Sequence, residues 1–300
     1  MLRRWPDQTS SVSGCRRTSD VMIREMTSGD IADGLRLCRL SGWNQLEGDW
    51  ALFLKLSPHS CRVAEKHGKV VGTVATLRYQ DRFSWLAMVL VDPAERGAGI
   101  GTRLLKEGLM LLEDEACVRL DATPLGRPLY ERHGFVEEFA LSRMTAVVDA
   151  RRLPPASSAI RPMHEEDLSA VFAWDLDAFG ADRQPLLRQS FHQAPGAAWV
   201  ADRAGLQGYC FGRPGYKYDQ LGPIAAINET IASELVSQCL QHQNGCRFAI
   251  DTPTASSAWM ARLASFGFEE ERPFVRMRRG AYQHTGGCAE IFGIAGPEFG

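Results

Sequence analysis

A chain of 300 residues, 45% of them apolar and 23% charged, is long enough to bury two hydrophobic cores of ordinary domain size, which excludes an intrinsically disordered protein. Its formal net charge of −2 offers no positive field to attract nucleic acid or an anionic membrane, so neither is expected as a partner. No apolar run approaches the length of a membrane-spanning helix, and the N-terminal segment lacks the apolar core of a secretory signal.

The first half of the chain predicts strands that alternate with helices. Residues 1–21 show no hydrophobic periodicity, and we expect them to form a disordered tail. Apolar periodicity and turn signals then predict the strand Met22–Met26, the helices Asp30–Leu40 and Glu47–Leu56, the strands Cys61–Glu65 and Val70–Tyr79, the central strand Leu86–Val91, the helix Gly99–Leu112, the strand Val118–Asp121, the helix Arg127–His133 and the strand Phe135–Met144.

The residues that follow the central strand form the most informative motif. Asp92 and Pro93 end the strand, and the glycine-rich loop Arg96-Gly97-Ala98-Gly99-Ile100-Gly101 then opens a helix. Because the three glycines lack Cβ atoms, backbone N–H groups can converge on an anion at the positive end of the helix dipole. The motif therefore predicts a cradle for a diphosphate with Arg96 in front of it, and it favours an acyl-CoA enzyme.

A dinucleotide-binding fold is the main alternative for this motif. Asp121 lies 20 residues beyond Gly101, at the end of the next predicted strand, where such a fold places the acid that binds a ribose. The glycines are spaced at i, i+2 and i+4 instead of G-x-G-x-x-G, and the segment from Asp92 to Arg96 separates the strand from the first glycine. This spacing argues against an NAD-dependent enzyme.

Two motifs of this half resemble those of the GNAT superfamily of N-acetyltransferases. The stretch Val91–Leu105, V-x-P-x-x-R-G-x-G-I-G-x-x-L-L, is similar to the acetyl-CoA motif of the family, and Leu129–Phe135, LYERHGF, is similar to its second signature. The resemblance covers about residues 22–146, while Trp43–Gln45 and Asp121–Pro124 further resemble a bacterial subgroup of tandem acetyltransferases. It implies an α/β fold with a mixed sheet and helices on both faces, and acetyl-CoA as the cosubstrate.

The resemblance also implies which residues bind acetyl-CoA. In this family the backbone of a splayed central strand polarises the thioester carbonyl, and this role falls here on Val89, Leu90 and Val91. The residues implied for the diphosphate are Arg96, Gly97, Ala98, Gly99, Ile100, Gly101 and Thr102. Tyr130 matches the family tyrosine that protonates the departing thiolate, a step that suits a phenol with an ordinary pKa near ~10.

Three candidates stay open for the general base that deprotonates the amine. Many family members carry a glutamate two residues before the position of Leu90, where this chain has Met88. The base is then Asp49 on the second predicted helix, Asp121 at a strand end, or a chain of water molecules. Without a catalytic role, Asp49 would be a solvated helix residue and Asp121 would bond a turn.

The acceptor end is predicted from the loop between the first two helices and the residues near it. Trp43, Asn44 and Trp50 offer aromatic surface and an amide for a small amine or an amino-acid-like substrate, and Tyr79 and Thr123 complete the wall. The expected activity is direct transfer of an acetyl group to a primary amine. A non-catalytic acyl-CoA-binding regulatory module and a protein or peptide N-acetyltransferase are the alternatives.

The second half of the chain repeats the first. Ile23-Arg24 returns as Ile160-Arg161 at an offset of 137 residues, and Gly134-Phe135 returns as Gly267-Phe268 at an offset of 133. The repeat predicts two tandem GNAT-like domains, 22–148 and 159–300, joined by a linker at 149–158.

The second copy lacks the glycine loop. Its counterpart, residues 226–231, contains no glycine and no arginine, and Glu229 would repel a diphosphate. We therefore do not expect this domain to bind acetyl-CoA in the usual manner. It is expected to complete the substrate cleft or to mediate a homodimer, and Ile291–Ala295, after a glycine-rich loop, is predicted as its last strand.

The cysteines indicate the redox environment. There are eight, with no C-x-x-C pair and no Cys/His cluster of zinc-binding spacing, so neither a structural metal nor a disulfide framework is expected. Reduced thiols of this kind are typical of a cytoplasmic protein.

Overall fold

The computed structural model describes residues 20–80, 82–155, 157–281 and 290–300. The first half contains β1 (Val21–Glu25), α1 (Ile31–Leu40), α2 (Glu47–Leu56), β2 (Cys61–Lys66), β3 (Lys69–Tyr79), β4 (Phe83–Val91), α3 (Ile100–Met110), β5 (Cys117–Ala122), α4 (Arg127–Glu131) and β6 (Val136–Val147). The second half contains β7 (Ile160–Pro162), α5 (Leu168–Phe179), α6 (Gln184–Gln193), β8 (Trp199–Asp202), β9 (Leu206–Arg213), β10 (Asp219–Ala226), α7 (Glu229–Leu240), β11 (Arg247–Pro253), α8 (Ser257–Ser265), β12 (Glu269–Gly280) and β13 (Glu290–Gly293).

These elements confirm the predicted alternation of strands and helices, with shifts at their ends. β4 begins at Phe83, before the apolar run that predicted it, and α4 ends at Glu131 instead of His133. The predicted tail lies outside the described residues as far as residue 19, and Val21 already belongs to β1. The last predicted strand is β13, while the glycine-rich loop before it falls on residues that the structure does not describe. No helix of the described ranges is long and apolar enough to cross a membrane.

The described strands form one continuous sheet in which the two halves exchange their longest strands. Its order is β1-β2-β3-β4-β5-β12-β6-β11-β10-β9-β8-β7, with β13 beside β10. β12 of the second half pairs antiparallel with β5, whereas β6 of the first half pairs antiparallel with β11. The predicted linker at 149–158 thus separates the repeats along the chain, but each half completes the sheet of the other.

Two equivalent ion pairs connect the exchanged strands. Arg143 on β6 donates to both carboxylate oxygens of Asp251 on β11 at 2.7 and 2.6 Å. Arg276 on β12 donates to both oxygens of Asp121 on β5 at 2.8 Å. All four side chains are at most 3% exposed. Because a buried charge left without its partner is costly, these pairs hold the two halves in one register.

The sheet carries helices on both of its faces, which confirms the expected fold class. On one face, Trp50 and Phe53 of α2 pack with Trp85 of β4, and Phe179 and Phe299 of the second half join the same core. On the other face, α3 packs through residues such as Leu104 and Leu105 against the middle of the sheet. The core of the first half is therefore completed by side chains of the second.

A turn next to the first strand of each half explains part of the sequence repeat. Arg24 and Asp30 form a two-point ion pair at 2.7 and 2.9 Å, and Asp30 also accepts a hydrogen bond from the backbone N–H of Thr27 at 2.8 Å. Arg161 and Asp167 repeat this arrangement at 2.7 and 2.8 Å. The matched residues therefore stabilise the turn that precedes the first helix of each half.

The Arg24–Asp30 pair predicts an acid-dependent loss of stability. Hydrogen bonding to Arg24 lowers the pKa of Asp30 to about 2. A carboxylate with a lowered pKa stabilises the fold above its unfolded pKa of about 4, and this contribution is lost as the pH falls toward 2. We expect Asp30→Asn to lower the free energy of unfolding by about 1–2 kcal/mol at pH 7 and by progressively less below pH 4.

Urea unfolding of both proteins between pH 7 and pH 3 measures this difference. Asp33→Asn is the matched control, because Asp33 pairs with Arg36 at the surface of the neighbouring helix and its side chain is 40% exposed. We expect it to change the free energy of unfolding by less than about 0.5 kcal/mol at every pH. A difference for Asp30→Asn that stayed constant down to pH 3 would contradict the assigned role.

Candidate active site

The site lies where the central strands of the first half separate. β4 and β5 run parallel, but they pair only at Ser84 with Val118 and at Trp85 with Arg119. Beyond these residues the strands diverge, so the edge of β4 from Val89 to Val91 faces a cleft instead of a neighbouring strand. An unpaired strand edge presents backbone N–H and C=O groups to whatever occupies the cleft. The splayed strand that the sequence resemblance implied is therefore present.

A β-bulge shapes β4 at the cleft. The pairing of β3 with β4 shifts between Thr73 and Ala75, so that β4 contains one extra residue. Met88 lies at this bulge with φ +54°, an uncommon conformation for a residue other than glycine, and its carbonyl accepts a hydrogen bond from the Thr73 hydroxyl at 2.7 Å. The side chain of Met88 is buried, so the position at which many relatives carry a glutamate supplies no carboxylate here.

The glycine-rich loop leads from this strand into α3. Gly97 and Gly99 have φ values of +80° and +77°, which glycine adopts without strain, and both are exposed. Within the described residues, the first amide of α3 that donates to the chain is that of Arg103, to the carbonyl of Gly99 at 3.1 Å. The earlier amides of the helix are thus left at its positive end, where an anion is favoured.

The loop, the edge of β4 and Tyr130 line one cleft of about 810 Å³. Of the predicted cofactor-binding residues, those lining it are Val89, Leu90, Val91, Arg96, Gly97, Gly99, Ile100, Gly101 and Thr102. Ala98 instead packs against the core of the α3 face. The structure therefore brings the strand edge, the loop and the predicted acid together, as binding of an extended cofactor requires.

Tyr130 lies near the end of α4 and is 9% exposed. Its ring packs edge-on against Phe135, with ring centroids 5.8 Å apart, and Gly126 lets it approach, since a Cβ there would lie 3.0 Å from the ring. Burial raises the pKa of the phenol, which keeps it protonated at neutral pH. Tyr130 lines both the cleft and a smaller cavity beyond it, so its position suits a proton donor to a group in the cleft.

The smaller cavity, of about 40 Å³, is the inner end of the site, which we call the inner cavity. Its walls come from both halves of the chain. The first half contributes Trp43, Gln45, Leu86, Ala87, Met88, Val89, Asp121, Thr123, Tyr130 and Arg143, and the second half contributes Arg272, Phe274, Pro297 and Glu298. The second half therefore completes the cleft, as one of the two sequence-based expectations proposed.

The structure does not support Asp49 as the general base. Asp49 lies in the first turn of α2, where it accepts a hydrogen bond from the backbone N–H of Leu46 at 2.7 Å. Its other oxygen accepts a hydrogen bond from Arg213 of the second half at 2.9 Å. It is 6% exposed and lines neither the cleft nor the inner cavity. The assignment was wrong because this carboxylate caps a helix and joins the halves.

Asp121 lines the site but is held in place by Arg276. Both of its oxygens accept hydrogen bonds from that guanidinium, and its side chain has no exposed surface. Burial raises the pKa of Asp121, and the positive charge of Arg276 opposes the rise. A fully paired carboxylate of this kind fits a structural role at the base of the cavity better than that of a proton acceptor.

Three of the residues predicted for the acceptor wall do not reach the site. Trp50 is fully buried in the core beneath α2, and the Tyr79 hydroxyl donates to the carbonyl of Phe299 at 2.8 Å. Asn44 is buried as well, and its amide donates to the carbonyl of Tyr218 at 2.9 Å. These predictions were wrong because Trp50 packs into the core and the second half covers Tyr79 and Asn44. Trp43 and Thr123 do line both the cleft and the inner cavity.

The equivalent opening in the second half is filled by the chain itself. β10 and β11 also pair at only two positions before they diverge, but β13 then pairs antiparallel with β10 in the gap. The hydroxyl of Thr252 and the indole N–H of Trp259 both donate to the carbonyl of Phe292, on β13. Asn228 caps the following helix by accepting from the N–H of Ile231 at 3.0 Å. These features give a physical basis for the expectation that this half does not bind acetyl-CoA in the usual manner.

Arg143, Arg272 and Glu298 are site residues that sequence reasoning missed. Arg143 lies on β6, Arg272 lies on β12, and Glu298 lies in the segment that follows β13. Each is far along the chain from the glycine motif, and no local pattern marks them. Arg143 and Arg276 lie at the same offset of 133 residues as Gly134 and Gly267, but this match does not mark Arg143 as a site residue.

Comparison with protein families gives two matches. One model of an acetyltransferase (GNAT) domain matches residues 57–137, and a second such model matches residues 171–293. The two matches fall in different halves of the chain, in agreement with the internal repeat.

Individual relatives are similar to this chain over most of its length. Holothin acyltransferase from Pseudoalteromonas sp. (strain SANK 73390) is 26% identical over 263 residues, which cover 86% of this chain and 87% of that protein. The fold is similar to that of a Pyrococcus horikoshii protein provisionally described as an acetyltransferase, with a TM-score of 0.79, 20% identity, and coverage of 98% and 100% of the two chains. A tandem GNAT protein from the clavulanic acid biosynthesis pathway matches with a TM-score of 0.60 and 16% identity, over 88% and 100% of the chains.

Proposed function

Since the chain is a tandem GNAT N-acetyltransferase, we propose that its first half transfers an acetyl group from acetyl-CoA directly to the primary amine of a small or amino-acid-like molecule. The observation that carries this proposal is the single cleft lined by the edge of β4, the glycine-rich loop and Tyr130. The loop and the start of α3 suit a diphosphate, while the strand edge suits the chain that leads to the thioester.

The chemistry follows from this order of groups. The amine attacks the carbonyl carbon of the thioester, so that a C–N bond forms and the C–S bond breaks. A backbone N–H of the bulged β4 edge would stabilise the negative charge that develops on the carbonyl oxygen. The departing thiolate takes its proton from the Tyr130 hydroxyl, and the proton lost by the nitrogen restores that hydroxyl.

Direct transfer is supported by the residues that line the site. The described residues around the cleft and the inner cavity include no cysteine that could carry the acetyl group. Cys38 and Cys61 lie in the core, where burial raises the pKa of each thiol to about 12. A thiol with such a pKa is not a nucleophile at neutral pH.

A small acceptor is supported by the closure of the inner end. The inner cavity has about 40 Å³ of space, close to the share of one or two water molecules, and the second half of the chain forms one of its walls. A reacting amino group fits such a space, whereas a polypeptide needs an open groove.

Release of the CoA thiol, followed with a chromogenic disulfide, tests the proposal. The acceptors are the protein amino acids and the amines obtained from them by decarboxylation, with a lysine-rich peptide as a separate arm. We expect thiol release with at least one small amine. Binding of acetyl-CoA without turnover on any acceptor would instead indicate a regulatory acyl-CoA-binding module, and turnover on the peptide alone would indicate a protein acetyltransferase.

A further inference from the structure

Glu298 lines the inner cavity, and one of its carboxylate oxygens has no partner among the described residues. The residue is 3% exposed, and its Oε1 accepts a hydrogen bond from Arg213. Its Oε2 is buried and has no partner among the residues that the structure describes. The other carboxylate that lines this cavity, Asp121, has both oxygens bound to Arg276. Glu298 therefore keeps one carboxylate oxygen without a hydrogen-bond partner beside the cavity in which the amine is proposed to react.

Residues 294–300, which we call the closing segment, hold Glu298 in this position. The segment begins directly after β13, where the N–H of Ile294 donates to the carbonyl of Asp251 at 2.8 Å. Trp85 and Tyr79 of the first half then donate to the carbonyls of Pro297 and Phe299 at 3.0 and 2.8 Å. The ring of Phe299 stacks on Phe53 with centroids 5.0 Å apart. The residues on either side of Glu298 are thus held by the first half, which fixes the position of Glu298.

Gly296 makes room for this carboxylate. Its φ is +135°, and a Cβ at this position would lie 2.9 Å from both Glu298 Oε2 and Arg213 Nη2. The turn is closed by hydrogen bonds from the N–H groups of Phe299 and Gly300 to the carbonyl of Gly296 at 3.0 and 2.9 Å. The local backbone is therefore adapted to bring Glu298 back against the first half.

Arg272 provides a positive group at the same place. It lies on β12 and lines both the cleft and the inner cavity. Its Nε is buried without a partner among the described residues. Burial and the neighbouring charge of Arg143 lower the pKa of Arg272, and the opposing effects of Asp251 and Glu271 are smaller. An anionic group in the cleft would add to that opposing effect.

We propose that the acceptor is a small molecule with both an amino and an acid group, of which Glu298 binds the amino group and Arg272 the acid group. This inference rests on the proposed acetyltransferase function and adds the class of its acceptor. A buried polar atom without a partner is costly, and a ligand removes that cost at both residues only where its own charges match the two of them.

Glu298 would also take the proton that the amine must lose before it reacts. At neutral pH an amine arrives as an ammonium ion, whose nitrogen has no free electron pair. One proton passes to Glu298 and on to solvent, which frees the pair for attack on the thioester carbon. The second passes to the sulfur through Tyr130 as the C–S bond breaks. In this scheme Glu298 replaces the carboxylate that Met88 does not supply.

The test compares matched acceptors, namely each amino acid and the amine that remains after its decarboxylation, using the full chain and acetyl-CoA. The wild-type protein is expected to show kcat/KM at least about tenfold higher for an amino acid than for its decarboxylated partner. Glu298→Gln is expected to raise the acceptor KM and to lower kcat by at least about tenfold each, with the KM for acetyl-CoA unchanged. Arg272→Gln is expected to lower kcat/KM for the amino acid by at least about tenfold and so to remove the preference for the acid group.

Two control variants separate these roles from structural ones. Asp49→Asn removes the other carboxylate bound to Arg213 but has no atom in the inner cavity, and it is expected to leave the acceptor KM within about twofold. Arg279→Gln removes an exposed positive charge from the same strand as Arg272 and is expected to leave the preference intact. Calorimetric binding of acetyl-CoA shows that each variant is folded.

The outcomes distinguish this inference from the proposed function. Turnover that ignores the acid group, or an effect of Glu298→Gln no larger than that of Asp49→Asn, would overturn the inference and leave the acetyltransferase function standing. Absence of thiol release with every small acceptor would overturn both.

Discussion

Replacement of Gly99 by valine is expected to weaken acetyl-CoA binding by at least about a hundredfold. Most of this loss is expected because the substitution distorts the anion-binding geometry at the start of α3. Gly99 has φ +77°, a conformation in which a β-branched side chain is strained, and it directly precedes the first residue of the helix. Valine would therefore shift the loop and place its methyl groups at the mouth of the cleft.

The magnitude follows from the hydrogen bonds that such a shift removes. A hydrogen bond to a charged group contributes about 1.5–3 kcal/mol, and each 1.4 kcal/mol corresponds to a tenfold change in affinity. Loss of one or two amide contacts to a diphosphate thus accounts for a hundredfold effect. Isothermal titration calorimetry with acetyl-CoA measures it.

Gly68→Val is the matched control. Gly68 has φ +75°, in the turn between β2 and β3, and a Cβ there would meet nothing within 4 Å. The substitution therefore imposes the same kind of backbone strain at a distance from the cleft. We expect it to lower the thermal midpoint as Gly99→Val does while acetyl-CoA affinity stays at the wild-type value. An affinity of Gly99→Val within threefold of wild type would contradict the diphosphate-binding role of the loop.

Replacement of Tyr130 by phenylalanine is expected to lower kcat by about a hundredfold or more, with little change in the KM for acetyl-CoA. General acid catalysis by a positioned side chain typically contributes about 10²–10⁴-fold. Phenylalanine keeps the ring that packs on Phe135 and removes only the hydroxyl. Steady-state kinetics with a reactive amine separate kcat from KM.

Tyr209→Phe is the control for loss of a buried phenol. The Tyr209 hydroxyl donates to Asp175 within the second half, and the residue does not line the site. We expect this variant to lose stability and to keep the wild-type kcat within about twofold. If Tyr130→Phe behaved like this control, the thiolate would have to take its proton from solvent or from another group.

The two halves of the chain have diverged in what they contribute to one site. The first half keeps an open cleft between β4 and β5, whereas β13 fills the corresponding gap between β10 and β11. The chain that leaves β13 then becomes the closing segment, which lines the inner cavity of the first half. The stretch of chain that fills the gap of the second half thus continues into a wall of the inner cavity of the first half.

The sequence by itself determined the local elements, the repeat and the glycine-rich loop at the start of α3. Glycines at i, i+2 and i+4 before a helix favour a loop whose backbone N–H groups lie at the positive end of the helix, since backbone conformation and the helix dipole act within a few residues. The apolar runs likewise specified strands and helices within a few residues of their observed ends, and Tyr130 was found because it belongs to a motif that is continuous in the chain.

Only the tertiary structure decided how the two repeats share strands and which side chains meet at the acceptor end. β6 pairs with β11 of the second half and β12 pairs with β5 of the first, and no local pattern in either strand specifies which partner lies beside it. Trp50, Tyr79 and Asn44 have the composition of a binding surface, yet all three are buried, Tyr79 and Asn44 in contact with the second half. Glu298 reaches the inner cavity from the far end of the chain, because packing brings together residues that no spacing in the sequence relates.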